Sequence, residues 1–399
     1  MVMGTWSWES FPRIAVVVAI LAFLSDFCNN ATSPTVSILA VNLGASYAYV
    51  GTMAAASSLT SLIVTQPVGI LSDRLDKRIF LLTGFVCYIV YFLLLIIARS
   101  PNEILLGKVA YGLGAAFFYT TAVALVLTER GISKGTSVGL YATLMGAGFS
   151  LGPLVGGFVA ERVSYSASYA LSIAFAAVAL PLAWWGIKRE AAVPSRAKEV
   201  RTLNMFELAR NRELLLACVG GFFAAEAIGV DINFFPVYGK GLLISVGVIG
   251  TILGLRAALS TVVRLPVGSV TKRFGVRRLM AVSLSLCALG LFMVPLFDQV
   301  WLLILSLGLE GIGYGMFLTA SNTYIGEVVP EENRGSAVGF YYTFSNVGGV
   351  VNMTVIGLIA SAFGVSNTFR YTSATIILGL VIMFMLTREG SSPKSFASI

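Results

Sequence analysis

Residues 139–157 read GLYATLMGAGFSLGPLVGG, an apolar stretch that carries Gly139, Gly148, Gly152, Pro153, Gly156 and Gly157 and meets no charged residue until Glu161. Glycines three or four apart share one helix face, and without side chains there a neighbouring backbone can approach closely. Pro153 removes one backbone hydrogen bond and bends the helix. The result is a helix with a bare, groove-like face inside a membrane-length apolar segment. Such a face serves either tight packing alone or a contact that moves.

The surrounding chain has the same character. Its 399 residues are 57% hydrophobic and 12% charged, with a mean hydropathy of +0.87, outside the range of soluble domains. Apolar runs of about 20 residues, long enough to span a bilayer, occur at 14–38, 47–71, 79–98, 103–126, 137–160 and 167–187. A second set follows at 214–237, 245–267, 279–297, 300–325, 337–363 and 370–387. The expected fold is therefore an all-α membrane protein: twelve transmembrane helices in two pseudo-symmetric six-helix bundles. Residues 1–187 form the N-terminal bundle, 188–213 a polar cytoplasmic linker with a short amphipathic helix near Asn204–Glu213, and 214–399 the C-terminal bundle. The first span carries Asp26, Asn29 and Asn30 with no small-residue cleavage site after it, so it reads as a retained helix.

Charge placement sets the orientation. With both termini cytoplasmic, 20 of the 27 basic residues lie on the cytoplasmic side, four (Arg99, Arg162, Lys240, Arg370) lie outside, and three fall within spans. The net charge of +8 is then a topology signal in a multi-pass cell membrane protein, and nucleic-acid binding is excluded as its cause. Cys28, Cys87, Cys218 and Cys287 all sit in apolar spans without a CxxC pair, which suggests neither a disulfide framework nor a metal site. Histidine is absent, so proton handling near neutral pH falls to carboxylates.

The two halves echo each other at an offset of about 200 residues, as duplicated bundles would. GILSDRLDKR at 69–78 matches GSVTKRFGVRR at 268–278, TERGISKG at 128–135 matches EENRGSAVG at 331–339, and GLGAAFF at 112–118 matches GIGYGMF at 311–317. Asp26 falls roughly opposite Glu226.

The 139–157 pattern, G-x8-G-x3-G-P-x2-G-G, resembles the helix 5 antiporter motif of the major facilitator superfamily, in particular its drug/proton antiporter branch. The loop at 69–78 is similar to that superfamily's motif between helices 2 and 3, with Asp76 where a glycine is usual. The resemblance implies that this loop, through Gly69, Asp73, Arg74 and Arg78, latches the halves together in the outward-open state. From chemistry alone, Asp73 would accept hydrogen bonds from a helix N-terminus while Arg74, Lys77 and Arg78 anchor the loop at the cytoplasmic face. LLGKVAYGLGAA at 105–116 is similar to the helix 4 motif, with Lys108 in place of its arginine and Tyr111 in place of its glutamine. In the family that arginine belongs to proton coupling, and lysine keeps the charge but not the fork of donors.

Setting aside Glu103 and Arg370 at the first positions of their runs, seven ionisable residues fall inside the spans: Asp26, Lys108, Glu226, Asp231, Arg256, Arg264 and Glu310. A charge at the bilayer centre costs about 2.5–3.5 kcal/mol, so each needs a partner, water or a neutral form. Arg264 is near the cytoplasmic end of its span and can snorkel; Asp231 is near the outer end of its span, where it is expected to face water. Asp26, Glu226, Arg256 and Glu310 lie roughly ten to thirteen residues into their spans, near the midplane. The resemblance implies that helices 1, 4, 7 and 10 line a central cavity, and three of these four lie on such helices.

Asp26, Asn29 and Asn30 at i, i+3 and i+4 form one polar face, directed either into that cavity or into interhelical hydrogen bonds. Burial disfavours a charged carboxylate and a nearby guanidinium favours it, which suits proton loading and release: Asp26 and Glu226 are the expected carriers of the coupling proton, with Arg256, Glu310 and Lys108 as the other coupling candidates. The alternative is a static pair of Arg256 with Glu226 or Asp26 that stiffens the fold. Phe118, Tyr119, Phe234, Phe235, Tyr341, Tyr342 and Phe344 are the aromatic candidates for an adaptable wall.

The expected function is proton-coupled export of small amphipathic or apolar compounds by a monomer in the lipid bilayer, with no cofactor. Its rival is a symporter or uniporter for a polar metabolite such as a sugar or organic anion, which Arg256 would favour. A non-transporting receptor or scaffold lacks an extramembrane domain to pass a signal. An enzyme lacks support: no phosphate-binding P-loop or HExxH pattern is present, and no histidine can serve as base.

Overall fold

The computed structural model describes residues 13–72, 74–128, 134–187, 205–330 and 333–388. All secondary structure among the described residues is helical. In the first half these are α1 (Arg13–Ala31), α2 (Val36–Asn42), α3 (Tyr47–Ser72), α4 (Lys77–Ile97), α5 (Pro101–Thr128), α6 (Lys134–Arg162) and α7 (Tyr165–Gly186). A short α8 (Met205–Arg210) follows, and then α9 (Arg212–Asn233), α10 (Phe235–Gly241), α11 (Val246–Val262) and α12 (Arg264–Phe274). The chain closes with α13 (Val276–Met293), α14 (Val300–Val328), α15 (Arg334–Phe363) and α16 (Ser366–Arg388). Eleven of these segments are long and apolar enough to cross a membrane, α1 and α2 counting together, and α11 with α12, bent by 47°, makes the twelfth.

The breaks have chemical causes. Between α1 and α2, Pro34 supplies no amide proton, and hydroxyls take up nearby carbonyls: Thr32 Oγ1 donates to Asn29 O (2.8 Å) and Ser33 Oγ to Asn30 O (2.8 Å). The second half repeats the device. Pro236 opens α10, and Asn233 Nδ2 donates to Gly229 O at 2.9 Å. At the opposite end, the matching loops solve one turn in two ways. Asp76 caps α4 by accepting from the Arg78 amide (3.0 Å) and pairs with the Arg78 guanidinium (2.7 Å), which stacks on Trp184. Gly275, its counterpart in the second half, turns with φ +81°, open to glycine at little cost. Asp73 lies outside the described residues, a Cβ on Gly69 would meet only Thr120, at 3.7 Å, and Arg74 sits exposed in the turn.

Within the first half α1 packs on α6 and α7, and α4 on α5 and α7; in the second, α9 packs on α15 and α16, and α13 on α14 and α16. Two seams, α6 with α11 and α3 with α15, join the halves. The glycines of α6 divide between neighbours. Gly148, Gly152 and Gly156 lie against α1 in the same half: a Cβ on Gly152 would stand 2.7 Å from the Phe27 carbonyl oxygen, and one on Gly156 would strike the Ala31 carbonyl. Pro153 and Gly157 face the other half, where a Cβ on Gly157 would lie 2.8 Å from Val246 O and 3.0 Å from Gly250 Cα.

The second seam repeats this contact, with Gly51 and Gly357 against each other, a Cβ on Gly357 falling 2.9 Å from Gly51 Cα. Polar bonds secure the same end. Glu161 accepts from the Gly247 amide (2.8 Å) and Ser245 hydroxyl (3.0 Å), and the Ala48 amide donates to Ser361 Oγ (2.7 Å). Towards the other end, where the loops with Arg74 and Lys272 lie, the seam-facing Gly139 and Gly339 have open space where a Cβ would stand. The halves are sealed at one end and part towards the basic one.

Candidate functional site

Beneath the sealed end lies a cavity of about 340 Å³ between the halves, within the range that holds small molecules. The first half contributes a polar wall: Asn29 and Asn30 of α1, Thr32 and Ser33 of the break, Ser57 and Ser58 of α3, and Lys108 of α5 between Tyr91 and Tyr111. The second contributes a mainly apolar and aromatic one: Ile228 and Ile232 of α9, Tyr314, Phe317 and Leu318 of α14, and Tyr341, Tyr342 and Met353 of α15. Lys108 Nζ lies 6.0 and 5.7 Å from the ring centres of Tyr91 and Tyr111, close enough for cation–π attraction. Asn29 is 7% exposed, and neither polar atom of its side-chain amide has a hydrogen-bond partner among the described residues.

Behind Tyr314 is a buried ion cluster. Arg256 of α11 holds Glu310 of α14 by two bonds (Nε–Oε2 2.6 Å, Nη2–Oε1 2.7 Å) and Asp231 of α9 by a third (Nε–Oδ2 3.0 Å). Their exposures are 2, 0 and 0%. The guanidinium lies 5.2 Å from the Tyr314 ring, so Tyr314 touches cavity and cluster alike. Gly311 permits this packing, bringing the backbone of α14 against that of Arg256.

The structure corrects two expectations. Asp231 does not face water; it is fully buried and paired with Arg256. Arg256 pairs with neither Glu226 nor Asp26; its acids are Glu310 and Asp231, and Glu226 instead accepts from Thr375 Oγ1 of α16 at 2.8 Å. Helix geometry explains both, because five residues of α9 turn the face by about 140°, so Glu226 and Asp231 point to different neighbours. Asp26 is nearly buried and accepts from the Tyr119 hydroxyl at 3.0 Å, while Asn30 Nδ2 donates to the Asp26 backbone carbonyl. Arg264 opens α12 and bonds back to Ser260.

Of the aromatic candidates, Tyr341 and Tyr342 line the cavity, whereas Phe118, Phe234 and Phe235 are fully buried packing residues. Tyr119 and Phe344 pack outside the cavity lining, Tyr119 on Asp26 and Phe344 on Phe340. Tyr91, Tyr111 and Tyr314 are lining aromatics that the sequence reading passed over. Tyr111 and Tyr314 had a signal, standing three residues after Lys108 and four after Glu310, on the same helix faces.

The model of the Major Facilitator Superfamily matches this chain twice, over residues 18–242 and 232–398. The chain belongs to the Major Facilitator Superfamily. Among superfamily relatives it is 24% identical to the multidrug efflux protein YfmO of Bacillus subtilis over 380 residues, covering 94% of this chain and 93% of the relative. It is 21% identical to an uncharacterized MFS-type transporter of Methanocaldococcus jannaschii over 369 residues, covering 89% of this chain and 94% of the relative. Among solved structures, a point mutant of the nucleoside transporter NupG aligns with a TM-score of 0.79 at 16% identity, over 94% of this chain and 99% of that one. A bacterial homologue of the human lysosomal transporter Spinster, inward-facing and unoccupied, aligns with 0.77 at 15%, over 96% and 98%. These likenesses carry the fold, two six-helix bundles around a shared cavity, and the chain is a multi-pass membrane transporter.

Proposed function

We propose that this superfamily member is a proton-coupled exporter of small amphipathic compounds, working by alternating access in the cell membrane as a monomer. One observation carries the coupling: two carboxylates, Asp231 and Glu310, face one guanidinium in a site closed to water. Unbalanced charge is costly there, so charge balance calls for one proton on the carboxylate pair. When the site opens to water the proton can leave, and Tyr314 lies between that event and the cavity. Asp26, bonded to Tyr119, is a second buried acid, in the first half, and its counterpart Glu226 is on this reading a hydrogen-bonded packing residue outside the path.

Export is supported by the helix 5 pattern and by the likeness to the multidrug efflux protein YfmO. The basic residues support cytoplasmic termini and the division into bundles 1–187 and 214–399 with a linker at 188–213. In that orientation the sealed end is outer and the parted end cytoplasmic, so the shape described is open inward. A polar-metabolite carrier is the second reading, favoured by the asparagine- and serine-rich wall of the first half.

Purified protein in liposomes tests the coupling. An imposed proton gradient should accelerate flux of a transported dye in the parent, and Glu310→Gln or Asp231→Asn should remove that acceleration while exchange at equal pH persists. Parent flux indifferent to the gradient would refute proton coupling.

A further inference from the structure

The cavity is charged on one side only. Among its lining residues Lys108 is the one ionisable group that is charged at neutral pH, and no lining residue is a carboxylate. Among the described residues Lys108 has no carboxylate partner elsewhere; two tyrosine rings are its company. The acids of the spans are all engaged away from it: Asp26 with Tyr119, Glu226 with Thr375, and Asp231 and Glu310 with Arg256. A lone cation within a membrane span is costly, and cation–π contact offsets only part of that cost. The same cavity holds the unpartnered Asn29 amide, a buried polar group whose hydrogen bonds are left for something inside the cavity to make.

We infer that Lys108 and Asn29 form the seat for the anionic end of the substrate, and that the transported compounds are small amphipathic organic anions. The inference rests on the transporter reading and narrows its substrate class. An oxyanion placed at Lys108 Nζ neutralises the cation and can accept from Asn29 Nδ2. The rest of the molecule then meets the opposite wall, where Ile228, Ile232, Phe317, Leu318 and Met353 present apolar surface. An amphipathic cation finds the apolar wall but no counter-ion, and is repelled by Lys108. The role differs from the proton-coupling one that resemblance assigns to this position, because among the described residues no acid lies against Lys108 to exchange a proton with it.

Binding to the purified protein is the test, with phenylpropionate, phenylbutyrate and phenylhexanoate each measured beside the alcohol and the amine of the same length. Equilibrium dialysis should show at least one carboxylate binding about tenfold or more tightly than its alcohol and its amine, the difference one charge-assisted contact supplies. Lys108→Gln should bring that carboxylate to the level of its alcohol, while Lys108→Arg should keep the preference. Three results would overturn the inference: an amine bound as tightly as its carboxylate, a preference that survives Lys108→Gln, or no carboxylate bound by the parent. The parent's charge preference decides even if the glutamine variant does not fold. Flux in liposomes is scored separately: anion binding without flux refutes the transporter reading alone, and flux of the alcohols or amines without anion binding refutes the anion seat alone.

Discussion

Gly157→Val should pry open the sealed end of the molecule. The Gly157 face of α6 meets the carbonyl of Val246 and the Cα of Gly250 so closely that a Cβ would stand 2.8 and 3.0 Å from them, before the two methyl groups of valine are added. Backbone atoms cannot swing aside as a side chain can, so α6 and α11 must separate. Overpacking of this kind costs about 1–3 kcal/mol. The cost falls only on the state in which the seam is closed, so the ratio of closed to open molecules should drop roughly five- to 150-fold. Gly51→Val opposes the second seam through Gly357, and with no shared contacts the two costs should add.

Spin labels at Val163 and Phe363, both exposed at the sealed end of opposite halves, report the separation by double electron–electron resonance once the four native cysteines are replaced. The parent should give mainly the short distance, and Gly157→Val should add a longer population at its expense. Gly139→Ala is the control, since its Cβ enters open space on the same seam-facing side of α6. An unchanged distance distribution in a folded Gly157→Val protein would refute the claim that glycine contact controls this seal.

Arg256→Ala leaves Asp231 and Glu310 side by side without their cation, and should destabilise the protein by about 3–5 kcal/mol; thermal unfolding in detergent should fall accordingly, with recovery when both acids are also neutralised. Glu226→Gln preserves an acceptor for Thr375, so stability and gradient-driven flux should stay at parental values, and lost coupling would put Glu226 back in the proton path. Glu161→Ala removes the acceptor shared by the Gly247 amide and the Ser245 hydroxyl. It should lengthen the same spin-label distance less than Gly157→Val does, because no backbone overlap is introduced.

The spans were legible because length and apolarity alone mark them, and the observed helices begin and end close to the expected limits. Partnership was not. Gly152 and Pro153 are adjacent in sequence, yet about 100° apart around the helix, so one faces α1 and the other α11. Nothing in the glycine spacing distinguishes those neighbours. Asp231 was misread because depth along one span says nothing of a long side chain reaching across from another. Side chains lean towards the N-terminus of their helix, and α9 and α11 run in opposite directions, so Arg256 and Asp231 approach each other. The helix an aromatic lies on does not fix the face it occupies: on α5, Phe118 is a buried packing residue while Tyr111 lines the cavity.

One helix joins the seam to the ion cluster. Gly250 and Gly254 of α11 lie against α6 of the opposite half, and Arg256, two residues beyond Gly254, holds the two acids of its own half. A side chain two residues along points about 200° away, so the helix presents one face to the moving contact and the other to the charges. Any rotation or tilt of α11 that opens the seam must carry the guanidinium with it, and bonds of 2.6–3.0 Å to Glu310 and Asp231 do not survive a displacement of more than a fraction of an ångström unless the acids follow. Protonating an acid weakens its hold on Arg256 and so lowers the resistance to that movement, while a substrate pressing on Tyr314 acts on the same guanidinium from the cavity side. The two-state element that both sites bias is on this reasoning α11 itself, and the glycines along its seam face are what allow it to move.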